Sequence, residues 1–262
     1  MRVTRAIIPA AGLGTRMRPL TLACPKELLP LGAKPVLHHV LDEAAEAGLE
    51  RVCVVISPAK QAVRDYFAAV APPVEVEYAV QEEQLGLGHA ILCAREFAGD
   101  QPVAILLGDT VLETPQRQGP LSRMVSRAAQ TDRPVVLVQR LPRERLSRYG
   151  VVRPAEPPAD AFAIDDLVEK PTPEAAPSEY AVSARYLLPA GLMAYLARTP
   201  AAANGEIQLS DALALYLREG HPYDALVLRD GERRHDIGSL EAYFEAFSIY
   251  AQRALQERRL NL

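Results

Sequence analysis

Apolar positions in the first half of the chain fall into two alternating patterns. RAIIPA (5–10), RVCVVIS (51–57) and VAILLGD (103–109) are short apolar runs, and VEVEYAV (74–80) alternates residue by residue; all four read as strands. Between them KPVLHHVLDEAAEAG (34–48), PAKQAVRDYFAAV (58–70) and GLGHAILCAREFAG (86–99) read as helices, the first closed by Gly48. Strands that alternate with helices through short connectors predict a largely parallel sheet covered on both faces. In such sheets ligands bind beyond the carboxyl ends of the strands.

After Asp109 the rhythm loosens. A helix over SRMVSRAAQ (122–130) leads to a strand at PVVLVQRL (134–141). YGVVRP (149–154) and AFAIDDLVEKP (161–171) flank a proline-rich tip. ARYLLPAGLMAYL (184–196) pairs a strand with a helix, EIQLSDALALYLREG (206–220) is helical, and YDALVLRD (223–230) is a strand. A single helix is expected from Ser239 to about Arg258. Without a repeat or a long linker, the 262 residues predict one α/β domain with an inserted lobe.

Composition narrows the function. The chain is 49% hydrophobic and 24% charged, with a formal net charge of −4. An acidic balance argues against a general nucleic-acid surface, so any anion site is local. No apolar run is long enough to span a bilayer, and the early glycines interrupt any signal-peptide pattern. Cys24, Cys53 and Cys93 lack metal-type spacing and predict reduced thiols in a cytoplasmic protein. Only four of the 29 basic residues are lysine (Lys26, Lys34, Lys60 and Lys170), and two of them fall in PKE and EKP.

The stretch AAGLGTRMRP predicts a phosphate site. Gly12 and Gly14 let backbone N–H groups approach an anion, Arg16 can fork onto two oxygens, and Lys26 adds a compact charge. A dinucleotide fingerprint would need glycine where Met17 stands, and the GxxxxGK[ST] loop is absent. Asp109 directly follows a buried strand, and Asp236 in HDIGS follows YDALVLRD; together they suit Mg²⁺ held against phosphate. Gln81 offers both a donor and an acceptor to a pyrimidine edge, and Gly86 and Gly88 either free a base-binding surface or open a helix. His235, His38, His39 and His89 read as packing residues. Glu169 and Lys170 would face opposite ways on an undistorted strand.

In order along the chain, IPAAGLGTRMRPLT, CPKELLPLGAKPVL, LGLGHAILCA, LLGD, YGVV, LVEKP, GEIQLSDAL and HDIGS resemble the sugar-1-phosphate nucleotidylyltransferases, most closely the bacterial UTP–glucose-1-phosphate uridylyltransferases. The resemblance implies a Rossmann-like three-layer α/β/α fold with a mixed, mostly parallel sheet. It implies a nucleotide-binding half over about 1–133, a sugar-binding half over about 134–238 and a C-terminal helix over about 239–258. Ala10, Ala11, Gly12, Gly14, Thr15 and Arg16 would contact the nucleotide, with Lys26 on its phosphates and Gln81 and Gly86 on uracil. Gly150, Glu169 and Lys170 would hold the sugar phosphate, Asp109 and Asp236 the Mg²⁺. Arg16, Lys26, Asp109 and Lys170 would carry catalysis. The implied substrates are UTP and glucose 1-phosphate, in a homo-oligomer without nucleic-acid or membrane partners. Thymidylyl transfer, another sugar-phosphate nucleotidyl transfer and a non-catalytic regulatory module are the alternatives.

Three departures from that pattern stand out. Only AAVAPPVEVEYAV separates Phe67 from Gln81, where a longer helical insertion is usual. Leu240 stands where CGxKLGY has lysine, and Ala184 in SARY replaces a glycine.

Overall fold

A computed structural model describes residues 1–260. Thirteen strands and nine α-helices are assigned among the described residues. The strands are β1 Arg5–Pro9, β2 Pro30–Leu31, β3 Lys34–Pro35, β4 Arg51–Ile56, β5 Glu75–Val80, β6 Val103–Leu106, β7 Thr110–Glu113, β8 Val135–Arg140, β9 Gly150–Pro154, β10 Ala161–Glu169, β11 Tyr180–Leu188, β12 Tyr223–Val227 and β13 Arg233–Asp236. The helices are α1 Leu20–Ala23, α2 Val36–Glu46, α3 Gln61–Ala69, α4 Gly86–Cys93, α5 Arg95–Ala98, α6 Pro120–Thr131, α7 Leu192–Arg198, α8 Leu209–Arg218 and α9 Leu240–Leu260.

Nine strands form one sheet in the order β5-β4-β1-β6-β11-β8-β12-β10-β9. The first four run parallel, as their βαβ spacing requires. From β11 onward the pairings are antiparallel except β8 with β12, so the sheet is mixed. One apolar cluster, with Ile8, Val54, Leu106 and Leu37, fills one side of the sheet. A second, with Ile7, Val55, Ile105 and Ile91, fills the other. Adjacent residues of one strand thus enter opposite cores, as a pleated strand buried on both faces demands. No helix among the described residues is long and apolar enough to cross a membrane.

Three local expectations change. The helix over 86–99 divides at Ala94, whose backbone (φ −99°, ψ 17°) leaves α geometry and whose N–H bonds Ile91 O at 3.0 Å. The segment after Asp109 is not loose: β7 pairs antiparallel with β13 in a separate two-stranded sheet. Asp236 consequently ends β13, not the strand over YDALVLRD, which stops at Val227. Four-residue strands carry too little periodicity to be read from sequence. Their register matters, since it sets Asp236 opposite Thr110, the neighbour of Asp109.

Candidate active site

A cleft of about 1340 Å³ opens over the carboxyl ends of β1 and β6 and along β9, β10 and β11. Single-ligand pockets run to roughly 1,000 Å³, so this one has room for two reactants. Ala11, Gly12, Arg16, Lys26, Gln81 and Gly86 line one end; Asp109 and Asp236 sit centrally; Gly150, Glu169 and Lys170 line the other. Ala10, Gly14 and Thr15 lie on the same loop but do not line the cleft. Ala10 is buried, and its carbonyl accepts from Lys60 Nζ at 2.6 Å. Gly14 (φ +64°) caps the short 3₁₀ turn at Thr15–Met17, and its carbonyl accepts from Thr21 Oγ1. A Cβ on Gly12 would meet nothing within 4 Å, leaving open backbone at the mouth of the loop.

Lys60 also donates to Glu27 Oε2 at 2.6 Å, and Glu27 is 1% exposed. This buried pair ties the 10–16 loop to the segment that carries Lys26. Burial raises the Glu27 carboxyl against the pull of Lys60, and burial lowers Lys60 against the pull of Glu27. Neither residue was assigned a role from sequence, although the PKE stretch and the scarcity of lysine were signals.

Lys26 Nζ donates to Asp109 Oδ2 at 2.5 Å. Burial pulls the lysine down, but Asp109 and Glu27 together raise it. Burial likewise pushes Asp109 up, and Lys26 overcomes that and holds the carboxyl below its ordinary value. Gly108, just before it, packs against β1: a Cβ there would come within 3.0 Å of Ile8 Cγ2. Beneath the turn, fully buried Arg185 forks onto Glu43 and donates to the Thr110 carbonyl at 2.8 Å.

Asp236 Oδ2 accepts from Arg234 Nη2 at 2.6 Å. Burial raises the Asp236 carboxyl and nearby Asp109 adds to it, against the cations Arg234, Lys26 and Arg16. Gly238 allows the approach of these groups, since a Cβ there would lie 2.7 Å from Asp236 Oδ1 and 3.4 Å from Arg16 Nη2. Among the described residues no cluster of three or more His, Cys, Asp or Glu side chains gathers that could hold a metal ion. The donor set is two carboxylates, which suits a hard cation that keeps waters and takes its other oxygens from substrate.

Gln81 is buried, with its amide nitrogen 3.2 Å from Gly86 O and 3.0 Å from His89 Nδ1. That arrangement leaves the side-chain carbonyl as the group to accept from a ligand. His89 is a packing partner, as expected. Gly86 opens α4 and lines the cleft, and Gly86 and Gly88 also meet a further demand. Cβ atoms there would come within 2.7 Å of Glu206 Cβ and of Ile207 Cγ2, respectively. The GEIQLSDAL segment docks onto them through Ile207 N–H to Leu85 O and Gly88 N–H to Ile207 O, both 2.8 Å.

At the other end the strand bends where an ideal strand would have split its charges. β10 ends at Glu169, and Lys170 takes a left-handed backbone (φ +45°). Both side chains consequently line the cleft, 3.5 Å apart at Nζ and Oε1. Gly150 pairs with Glu169, and a Cβ on it would stand 3.3 Å from Glu169 Oε2. Ala184 also faces the cleft and is left-handed (φ +60°), within a register shift between β11 and β8 from Val182 to Tyr186. The substitution of alanine for glycine at this position thus retains a backbone shape that glycine tolerates better.

Residues 5–253 match the family model described as nucleotidyl transferase. A UTP–glucose-1-phosphate uridylyltransferase, YngB, of Bacillus subtilis (strain 168) is 37% identical, over 94% of this chain and 88% of its own length. A crystal structure of a UDP-glucose pyrophosphorylase complexed with UDP-glucose superposes with a TM-score of 0.89 at 32% identity, covering 96% of this chain and 99% of the other. A UTP-bound UGPase from Acinetobacter baumannii superposes with a TM-score of 0.88 at 32% identity, covering 98% of each.

Proposed function

The chain belongs to the nucleotidyl transferase family, and within it we propose that it acts as a UTP–glucose-1-phosphate uridylyltransferase, converting UTP and glucose 1-phosphate to UDP-glucose and diphosphate. The observation that carries this reading is the gathering of Arg16, Lys26, Lys170, Asp109 and Asp236 around one two-reactant cleft.

A phosphate oxygen of glucose 1-phosphate attacks the α-phosphorus of UTP in line. The new P–O bond forms as the bond to the β-phosphate oxygen breaks, and the electron pair leaves with diphosphate. The attacking oxygen is already anionic, so no protein nucleophile or general base is needed. The protein's task is to bring two polyanions together, by positioning and charge neutralisation. The 10–16 loop and Arg16 receive the triphosphate, Lys26 supplies a charge beside its α-phosphate, and Gln81 accepts from the pyrimidine N3–H. Lys170 binds the phosphate of the sugar, while Glu169 accepts hydrogen bonds from sugar hydroxyls. Asp109 and Asp236 would hold Mg²⁺, which, when bound, neutralises charge on the triphosphate and the departing diphosphate.

The test is diphosphate release over a grid of nucleoside triphosphates and sugar 1-phosphates, with and without Mg²⁺. The expected maximum is UTP with glucose 1-phosphate and Mg²⁺. A maximum with dTTP or another sugar would replace the substrate assignment, and no release from any pair would overturn the reading.

A further inference from the structure

Arg234 stands outside every role given so far. It is the second residue of β13, its side chain is 8% exposed, and it lies inside the cleft wall. Its guanidinium carbon is 4.8 Å from the centre of the Tyr149 ring, and its Nη2 donates to Asp236. Its Nε is buried without a hydrogen-bond partner. A buried donor left without a partner is costly, so an acceptor arriving there is favoured. Asp109 and Asp236, the two carboxylates suited to a cation, therefore each already hold an internal cation: Lys26 on one, Arg234 on the other.

Resting on the reading above, we propose that Arg234 is a shuttling counter-ion. It holds Asp236 until a divalent cation takes that carboxylate, and the freed guanidinium then binds the phosphate of the sugar 1-phosphate. Position selects that phosphate over the triphosphate. The Tyr149 platform adjoins Gly150, and the Tyr149 carbonyl accepts from the N–H of Lys170 at 3.0 Å, so Arg234 lies on the side of Glu169 and Lys170. Arg16 approaches Asp236 past Gly238, beside the anion-binding loop that carries it. The Tyr149 ring face supports the guanidinium while it changes partners, because attraction to the ring does not depend on which oxygen the fork engages. Forked donors also suit a phosphate better than a point charge does.

Two arms test this. Mn²⁺ alone, titrated into the full chain and followed by the electron paramagnetic resonance signal of the free ion, needs no substrate. Arg234→Gln is expected to bind Mn²⁺ about tenfold more tightly than the unaltered protein, since no cation then competes for Asp236. In steady-state assays, Arg234→Lys, which keeps the charge and loses the fork, is expected to raise the KM for glucose 1-phosphate about tenfold, with the KM for UTP changed less than about twofold. Unchanged or weaker Mn²⁺ binding in Arg234→Gln overturns the counter-ion role. An unchanged sugar-phosphate KM in Arg234→Lys, or an equal rise for UTP, overturns the phosphate role. If Arg234→Gln does not fold, the Mn²⁺ arm passes to Asp236→Asn, which must then lose most binding. Should the unaltered protein show no turnover with glucose 1-phosphate, the substrate reading fails while the Mn²⁺ arm still decides the contact with Asp236.

Discussion

Lys26 and Lys170 both face the cleft, yet the chain holds them by different means. Lys26 is fixed by its neighbours: Asp109 accepts its hydrogen bond, and Glu27 beside it is locked to Lys60 in the core. Lys170 is fixed by its backbone, a left-handed residue at the end of a strand, with a side chain 54% exposed. The Lys26 end of the cleft thus relies on buried charge and on glycines at crowded backbone, and the Lys170 end on strained φ angles at Lys170 and Ala184. Buried charge gives a rigid site that tolerates little change. Local strain aims a side chain while leaving it mobile enough to follow a ligand.

Four substitutions would break or sharpen that contrast. The largest effect is expected from Lys60→Met, which leaves Glu27 buried and unpaired and should cost about 3–5 kcal/mol of stability in urea unfolding. The deficit should depend on pH in the sense opposite to an ordinary salt-bridged carboxylate. Burial already raises Glu27 above its ordinary value of 4.5, and losing the lysine raises it further. The folded state then binds the proton more tightly than the unfolded chain, so stability recovers as pH falls through the raised value and levels off below 4.5. A deficit independent of pH would mean that Glu27 does not feel Lys60.

Asp109→Ala should lower kcat by about 10²–10³ while the melting transition survives, since the lost group acts on the reacting centre. Full activity there would refute the assignment of the central carboxylates. Lys170→Ala should raise the KM for glucose 1-phosphate by roughly tenfold or more, as expected for one charge-assisted contact, and move the UTP KM little; equal losses would erase the distinction between the two ends. The smallest expected effect carries the opposite sign. Ala184→Gly relieves a left-handed alanine and should stabilise the fold by about 1 kcal/mol in thermal or urea unfolding. Destabilisation would show that the alanine methyl is needed where it packs.

Much of the parallel half was legible because its strands are buried on both faces and its helices are amphipathic, so period alone separates them. RAIIPA, RVCVVIS and VAILLGD become β1, β4 and β6, and the loops at the carboxyl ends of β1 and β6 line the cleft. Eleven of the fourteen residues expected to contact substrates or metal line it too; Ala10, Gly14 and Thr15 stand just behind. Less was legible in β7 and β13, which are too short to show a period and whose pairing spans more than a hundred residues. Gly86 and Gly88 also carry a packing demand that no local pattern shows, because the atoms that crowd them come from Glu206 and Ile207, far along the chain. Arg234 and Tyr149 had no local signature, since a stacked cation is a property of two segments meeting.

Local pattern and residue chemistry thus determined the strands, the anion-binding loop and the identity of the charges, because those depend on neighbours within a few positions. Which charge meets which was decided only by the folded sheet. Lys26 finds Asp109 across 83 positions and Glu43 finds Arg185 across 142, and a partner so distant leaves no period in the sequence. The aim of Lys170 was likewise decided by tertiary structure, since a φ of +45° at a lysine persists only where the surrounding contacts hold it.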